Sequence, residues 1–300
     1  MDNLSNITKI SDFVCDMYQE HLQFHVERFS NNKHPKFTDQ QVMTMYIYCT
    51  TYEKRLTIRD MYDFTRTYMS DIFVNLPSYV AVCNRISRLA PAFIELYRLV
   101  SESNLNKHER SLFSLMDSMP IVTCSGKRNA KVARDVTNKG YCSTKSMYYY
   151  GVKLHVLAYY QKGTLPIPES IIISPASESD INVFRDNWCC GKDRAFVADK
   201  IYQDASNEGF IKDHHNSILL SPVKYTRGVL ECEKQRNRAS DDLFNRAVSG
   251  IRQPVESLFN WLIERVNIQR ASKVRSTAGL IAFIFRKLAA IFLVCKLFKP

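Results

Sequence analysis

The sequence lacks the cysteine spacing that zinc ribbons and thioredoxin-like sites require. Its 300 residues contain nine cysteines, an odd number, and no two of them form a Cys-X-X-Cys pair. A metal ribbon or redox motif of that kind is therefore not indicated. The adjacent Cys189 and Cys190 have poor geometry for a disulfide. We expect free thiols in a reducing compartment, which favours a cytoplasmic protein.

A secretory signal and an unbroken membrane-spanning segment are also missing. The first residues do not combine a basic stretch with an apolar core. The most apolar stretch, residues 280–298, is interrupted by Arg286, Lys287 and Lys296. Because charges break a bilayer span, this stretch predicts a largely buried terminal helix and no membrane partner.

What the sequence has in excess is positive charge. Lys and Arg number 41 against 30 Asp and Glu, which gives a net charge of +11 and a pI of about 9.2. Such a surplus favours a polyanionic partner, through Coulomb attraction and the release of counterions from phosphates. With 45% hydrophobic and 24% charged residues, the composition is that of a folded globular protein, and the length suggests two domains.

Residues 1–108 predict a helical region that we expect to bind DNA. Thr38 followed by Gln41 has the pattern of a capping box at a helix start. Residues 57–90 contain two helical segments that could form a helix-turn-helix. Its second helix would present Arg85 and Arg88 to DNA. A plain helical bundle with solvated arginines remains the alternative.

Residues 109–300 predict an α/β domain that ends in helices. Residues 148–160, YYYGVKLHVLAYY, alternate and are rich in aromatic and β-branched side chains, which is typical of a strand. ESIIIS and RAFVAD are further candidate strands, separated by segments with helical patterns. Strands mixed with helices indicate an α/β fold.

Three acidic residues stand out by their context. Asp117 ends the apolar run FSLMD, Asp199 ends FVAD, and Glu256 lies in the helical segment IRQPVESLFNWL. Carboxylates at strand ends are held by rigid backbone and emerge into the groove above a sheet. Three of them together could bind a pair of divalent cations for phosphodiester chemistry. Taken singly, each is equally well explained as a turn, cap or surface residue.

The segments around these acids resemble those of DDE-type transposases of bacterial insertion sequences. The resemblance covers about residues 110–265. It rests on LFSLMDSMPIV and YYYGVKLHVL, on FVADKIYQD, where Lys and Tyr follow the second acid, and on RQPVESLFNWL, where Arg precedes the third acid by four positions. The sequence departs from the family pattern at Ile201, Ser249 and Ile263, where Gly, Tyr and Lys are usual.

The resemblance implies an RNase H-like catalytic domain in which Asp117, Asp199 and Glu256 bind Mg²⁺, with Mn²⁺ as a substitute. It implies that Arg252, one helical turn before Glu256, orients the carboxylate or binds a phosphate. Asp180 is a rival metal ligand but is better explained as a helix N-cap. Strand positions, motif neighbours and basic clusters supply the other candidate DNA contacts: Lys127, Arg128, Lys131, Arg134, Lys153, Lys200, Tyr202, Arg265 and Arg270.

By the same resemblance, the expected activity is DNA transposition. The enzyme would bind the ends of its element in double-stranded DNA, hydrolyse a phosphodiester, and join the freed 3′-hydroxyl to target DNA as a homodimer near the bacterial nucleoid. Three alternatives stay open. One is an RNase H-like nuclease that does not join strands, and another is an impaired descendant that only binds DNA. The third is a membrane-surface protein, which would require the C-terminal helix to be exposed.

Overall fold

The computed structural model describes residues 3–28, 35–106, 111–127, 131–143, 145–203, 205–225 and 228–298. The elements in these ranges, in chain order, are α1 (Asn3–Glu20), α2 (Asp39–Thr51), α3 (Ile58–Tyr68), α4 (Tyr79–Arg88), α5 (Ala90–Asn106), β1 (Phe113–Ser125), β2 (Asn138–Cys142), β3 (Met147–Tyr159), β4 (Ile167–Pro175), α6 (Asp180–Asn187), β5 (Ala195–Val197), α7 (Ala205–His215), β6 (Ile218–Leu220), α8 (Glu231–Val266) and α9 (Thr277–Leu297), with short 3₁₀ helices at Leu22–His25 and Lys200–Tyr202.

These elements form two compact units. The helical unit consists of the described residues within Met1–Asn104 and Leu262–Pro300, and the sheet unit consists of those within Leu105–Trp261. Helix α9 lies in the helical unit by this division, whereas residues 109–300 were expected to form the catalytic domain with its C-terminal helices. In the structure, α9 packs with α1 and α2.

The helical unit is built around α2 and α9, two helices that are apolar on nearly every side. All residues of α2 from Val42 to Thr50 are buried. As predicted, a capping box starts this helix: Gln41 N donates to Thr38 Oγ1 at 3.2 Å, and Thr38 N donates to Gln41 Oε1 at 2.8 Å. A helix that is hydrophobic all round must be buried on most of its surface. Contacts between α2 and α9 meet that requirement.

Helix α9 is long and apolar enough to cross a membrane, and most of its apolar window is buried in the structure. The buried charged group of this helix, the ammonium group of Lys287, has hydrogen-bond acceptors within the helical unit. Lys287 is 2% exposed and donates to the carbonyl oxygens of Val266 and Asn267. Burial lowers the pKa of this ammonium group to about 7, with Arg286 adding to the effect. The predicted buried terminal helix is therefore present.

The sheet unit contains a mixed sheet with the strand order β2-β3-β1-β5-β6, and β4 also pairs with β3. Strands β1, β3 and β4 pair antiparallel, whereas β5 pairs parallel with both β1 and β6. The strands β4-β3-β1-β5-β6 are thus three antiparallel strands followed by two parallel ones. This mixed sheet flanked by helices, after an N-terminal helical region, is the RNase H-like arrangement that was expected.

The two faces of the sheet carry different residues. Successive side chains on a strand alternate between faces, and register partners share a face. Ser118 pairs with His155, and this face bears the apolar cluster that includes Met116, Phe184 on α6 and Ile211 on α7. Asp117, which pairs with Val156, points to the opposite face. The sheet therefore separates an apolar core from the side on which the first acid emerges.

Candidate active site

Two of the three acids lie side by side because of the parallel pairing of β1 and β5. Leu115 pairs with Val197 at the end of that ladder, and Asp117 and Asp199 each follow two residues later. Parallel strands run in register, so the two aspartates occupy equivalent positions on one face. Neighbouring strands are about 5 Å apart, which brings the two carboxylates within reach of a common ligand.

Each aspartate is oriented by the backbone that follows it. Ser118 N donates to Asp117 Oδ1 at 2.8 Å, and Lys200 N donates to Asp199 Oδ1 at 2.7 Å. Asp199 is also the N-cap of the short 3₁₀ helix that begins at Lys200. Hydrogen bonds from backbone N–H groups favour the charged form of a carboxylate and fix its direction.

The third acid is connected to the first through an arginine. Arg252 Nη1 donates to Asp117 Oδ2 at 3.0 Å, and its Nη2 donates to Glu256 one turn later on α8. The Arg252 side chain is 17% exposed and that of Glu256 is 48% exposed. The guanidinium group thus holds the helix carboxylate and the strand carboxylate together.

The pKa of Asp117 is raised mainly by burial. Arg252 and the Ser118 N–H lower this pKa, and Glu256 and Asp199 raise it again, with a net rise to about 6. One arginine therefore does not offset burial and two neighbouring acids. Such a site favours binding of a further cation.

The donor set fits a divalent ion, but the ligands do not yet surround one. Carboxylate oxygens are the ligands that Mg²⁺ prefers. Within the described ranges, no three His, Cys, Asp or Glu side chains converge closely enough to hold a metal. Arg252 stands between Asp117 and Glu256 in the role of the cation. Asp117 and Asp199 could hold an ion directly, and Glu256 could join them once Arg252 has moved.

Comparison with known proteins identifies the family. Residues 109–293, more than half of the chain, match the transposase DDE domain. The chain belongs to this transposase family. No curated protein and no solved structure matches it. Family membership confirms the expected resemblance to DDE-type transposases and the RNase H-like fold. It places the chain among transposases, which act on DNA and generally use divalent metals.

Beneath the acids, the transposase has a buried polar cluster centred on Asp180. Asp180 Oδ1 accepts from Ser118 Oγ at 3.0 Å and from Lys153 Nζ at 3.1 Å. Lys153 Nζ also donates to Glu178 O at 2.8 Å, and His155 Nδ1 lies 3.6 Å from Asp180 Oδ1. Asp180 was expected to be a helix N-cap, but Ser179 holds that position. The carboxylate of Asp180 instead ties the start of α6 to β1 and β3.

Lys153 is therefore paired within the protein, and its expected DNA contact stays a prediction. Its side chain is 17% exposed and its ammonium group is already bonded to Asp180 and Glu178. Sequence reasoning placed Lys153 correctly on a strand near the site. It missed the pairing of Lys153 with Asp180, which lies 27 residues away in the chain.

Tyr202 is also placed differently from the prediction. It was expected at the rim with Lys200, but it is 1% exposed and belongs to the apolar cluster with Met116 and Phe184. Lys200 is exposed, as is Ile201 between them. The one-turn 3₁₀ helix turns the tyrosine inward because its three residues point in three directions.

The remaining basic candidates of the α/β prediction are exposed. They are Lys127, Lys131 and Arg134 in the sheet unit and Arg265 and Arg270 in the helical unit, whereas Arg128 lies outside the described residues. Their exposure is compatible with contacts to a DNA backbone, and those contacts stay predictions.

Arg85 and Arg88 do not face outward as a recognition helix would require. Both donate to the buried carboxylate of Asp39, and Arg28 donates to it as well. In addition, α3 and α4 are separated by residues 69–78, a longer connection than the three- to four-residue turn of a helix-turn-helix. The two arginines stabilise the helical unit. The one sequence signal for this pairing was the position of Asp39, an acid in the first turn of the mostly apolar helix α2.

Proposed function

We propose that this chain is a DNA transposase in which Asp117, Asp199 and Glu256 carry out phosphodiester hydrolysis and strand transfer. The observation that supports this most directly is the register of β1 and β5, which puts Asp117, within β1, beside Asp199, just past the end of β5, with Glu256 joined to Asp117 by Arg252. All three acids lie within the residues that match this family.

In this proposal, Asp117 and Asp199 hold Mg²⁺, or Mn²⁺ in its place, and Glu256 completes the set. Bound divalent ions would supply positive charge to the attacking and leaving oxygens of an in-line displacement. Arg252, released from Asp117, is then free to bind a phosphate through two parallel N–H donors. Its present low exposure and two carboxylate partners keep it beside the place where the phosphate must arrive.

The chemistry has two steps. In the first, water attacks a phosphodiester at the element end, a P–O bond forms to the water oxygen, and the element's 3′-oxygen leaves with a proton as a hydroxyl. In the second, that hydroxyl attacks a target phosphodiester, and the target's own 3′-oxygen leaves. Exposed basic residues such as Lys127, Lys131 and Lys200 would hold the DNA backbone.

Further parts of the proposal concern partners and location. Joining two element ends in concert calls for two catalytic sites, which favours a homodimer on double-stranded DNA. A basic enzyme with free thiols that acts on DNA fits the cytoplasm, close to the nucleoid, without a membrane partner.

The test is cleavage of labelled duplexes that cover the DNA flanking the gene for this chain, with Mg²⁺ or Mn²⁺. We expect the wild type to cut and then join an end, and Asp199→Asn and Glu256→Gln to bind the duplex without cutting it. Matched controls are Asp186→Asn on α6 and Glu233→Gln on α8. Both residues are exposed acids, and both variants should cut DNA at the wild-type rate.

The same assay separates the alternatives. Cutting without any joined product, even with pre-cut ends, would indicate a nuclease of this fold. Binding without cutting by the wild type would indicate a descendant that has kept only DNA binding. The departures at Ser249 and Ile263 favour that alternative over the first, because both lie on the helix that carries Glu256.

A further inference from the structure

Two tyrosine rings lie exposed where β2 pairs with β3. Tyr141 and Tyr148 are register partners across this antiparallel pair, and their ring centroids are 5.0 Å apart. Tyr141 is 53% exposed and Tyr148 is 57% exposed. Rings that remain in solvent to this extent add little to a core, so their faces are open to a partner.

Packing of the two strands against the rest of the sheet unit is carried out by a different tyrosine. Successive side chains alternate between the faces of a strand, so Tyr149 points away from Tyr148, and it is 1% exposed. Its register partner, Gly140, is also buried. One side of the β2–β3 pair is therefore covered, whereas the side that bears Tyr141 and Tyr148 faces solvent.

This solvent-facing side belongs to the sheet face from which the first acid emerges. Asp117 pairs with Val156, and Tyr148 precedes Val156 by eight residues on β3. An even spacing places both side chains on one face. That face is buried at Val152, Leu154 and Val156 and open at Tyr148. At about 3.3 Å per residue, the rings lie roughly 25 Å along β3 from the register position of Asp117.

Positive charge flanks the two rings. The Lys139 ammonium group lies 4.8 Å from the centroid of the Tyr148 ring. On the other side of β3, Gly126 N donates to Tyr148 O at 2.9 Å, and the exposed Lys127 follows directly. Aromatic faces bind unpaired bases by stacking, and cations beside them bind the phosphates between those bases.

This combination fits single-stranded DNA better than a duplex. The bases of a duplex are already stacked on one another, and taking one out costs free energy that an unpaired base does not need to spend. In a chain with a net charge of +11, the lysines complement the phosphates of such a strand.

We propose that Tyr141 and Tyr148 form a stacking platform for unpaired DNA bases, and that Lys127 and Lys139 bind the adjoining phosphates. The platform would hold a single-stranded stretch of a DNA end on the face that carries Asp117. This inference rests on the proposed function, because that function supplies DNA as the ligand. Binding to the platform requires neither the metal ions nor the cutting step.

The test compares two probes without divalent cations. One is a duplex with a single-stranded overhang of about eight nucleotides, and the other has an abasic overhang with the same phosphates and no bases. Fluorescence anisotropy should show that the wild type binds the first probe about ten-fold more tightly. This preference isolates stacking from charge.

Substitutions at Tyr148 separate the ring from its bulk. Tyr148→Leu should remove most of the preference for bases, whereas Tyr148→Phe should keep it, because only the first lacks an aromatic ring. Lys139→Gln should weaken the binding of both probes by a similar factor, because it removes a phosphate contact. The Tm of each variant should stay close to that of the wild type, since these side chains are exposed. Tyr141→Leu provides the same test on the neighbouring strand if Tyr148→Leu lowers the Tm.

Phe210→Leu is the matched control in the same unit. Phe210 on α7 is 41% exposed and its ring stacks on His214 with centroids 4.7 Å apart. Its neighbour Ile211 belongs to the apolar cluster on the sheet face opposite to Asp117. An exposed aromatic ring on that side should be replaceable without any change in the preference for bases.

The outcomes distinguish the two proposals. Equal binding of the two probes by the wild type, or an unchanged preference in Tyr148→Leu and Tyr141→Leu, would overturn the platform alone. A wild type that prefers the overhang with bases but never cuts DNA would overturn the catalytic proposal and leave the platform standing. A wild type that binds neither probe would overturn both.

Discussion

The two units each contain a carboxylate held by arginine, and the balance of charge in the two places is opposite. In the helical unit, Asp39 alone faces Arg28, Arg85 and Arg88. In the sheet unit, Asp117, Asp199 and Glu256 share Arg252. In the helical unit, three arginines surround one negative charge, whereas in the sheet unit one arginine is shared by three acids. One arrangement stabilises a fold, whereas the other is the proposed cation site.

The pKa values follow the same contrast. Burial would raise the pKa of Asp39, but hydrogen bonds from Arg28, Arg88 and Arg85 outweigh it and hold the pKa well below its usual range. Burial and two neighbouring acids raise the pKa of Asp117 to about 6 in spite of Arg252. Burial is common to both residues, so the neighbouring charges decide the direction of the shift: three arginines beside Asp39, and one arginine with two acids beside Asp117.

The largest expected effect is on catalysis. Asp117→Asn should reduce cleavage by about a thousand-fold or more, since a ligand of the reacting centre is lost. Its stability should equal or exceed that of the wild type, because a charge in an overcrowded acidic site is removed. Cleavage rates and urea unfolding measure the two effects. A variant that is both inactive and much less stable would mean that Asp117 is structural.

Asp39→Asn should show the opposite pattern in stability. Removing the charge leaves three arginines around a neutral group, which should cost about 3 to 5 kcal/mol of unfolding free energy. Asp63→Asn is the control, because Asp63 pairs with Arg59 at an exposed position and should cost well under about 1 kcal/mol. Equal effects of the two substitutions would break the contrast between the sites.

The pH dependence of stability should also separate the two aspartates. Asp39 has a lowered folded-state pKa, so its contribution is present above the usual carboxyl pKa and is lost as the pH falls through the folded value. Asp117 has a raised pKa, so the folded state loses stability as the pH rises from the usual carboxyl range through about 6.

Urea unfolding without metal can test this at pH 4.5, 5.5 and 7.5, chosen to bracket that range. The stability gain of Asp117→Asn over the wild type should increase across the series. A constant difference would mean that Asp117 titrates as an ordinary carboxyl group.

The smallest expected effect is that of Ser118→Ala, which removes the hydroxyl donor to Asp180 and keeps the N–H donor to Asp117. It should cost about 1 kcal/mol of unfolding free energy. Cleavage should fall only a few-fold because the orientation of Asp117 by the backbone remains. A loss comparable to that of Asp117→Asn would mean that the hydroxyl contacts the reacting groups.

The sequence predicted well those features that depend on local pattern. The capping box at Thr38 and Gln41 is encoded within four residues, and the apolar run before Asp199 marks the end of β5. Asp117, by contrast, lies within β1 and not at a strand end as predicted, because β1 continues to Ser125. The selection of three acids from thirty came from family resemblance, because their convergence depends on the pairing of β1 with β5 and on the placement of α8.

The features that the sequence did not predict depend on distant partners. Arg85 and Arg88 bind a carboxylate 46 and 49 residues away, and Lys153 binds one 27 residues away. A helical or strand pattern shows which face a side chain is on, but not whether an opposite charge lies across from it. Tyr202 was misplaced because a 3₁₀ turn after the motif reverses its direction.

The unequal lengths of β1 and β5 determine what the backbone can offer in this enzyme. Tyr160 N donates to Phe113 O, so by alternation the N–H of Ser118 points away from β3, toward the side where β5 has already ended. With no strand beside it, that N–H binds the carboxylate of Asp117 instead. If β5 were a few residues longer, it would accept a strand-to-strand hydrogen bond from the Ser118 N–H. It would also cover the space beside Asp117 that is open where β5 ends. The backbone N–H that orients Asp117 is thus available only because β5 ends at Val197.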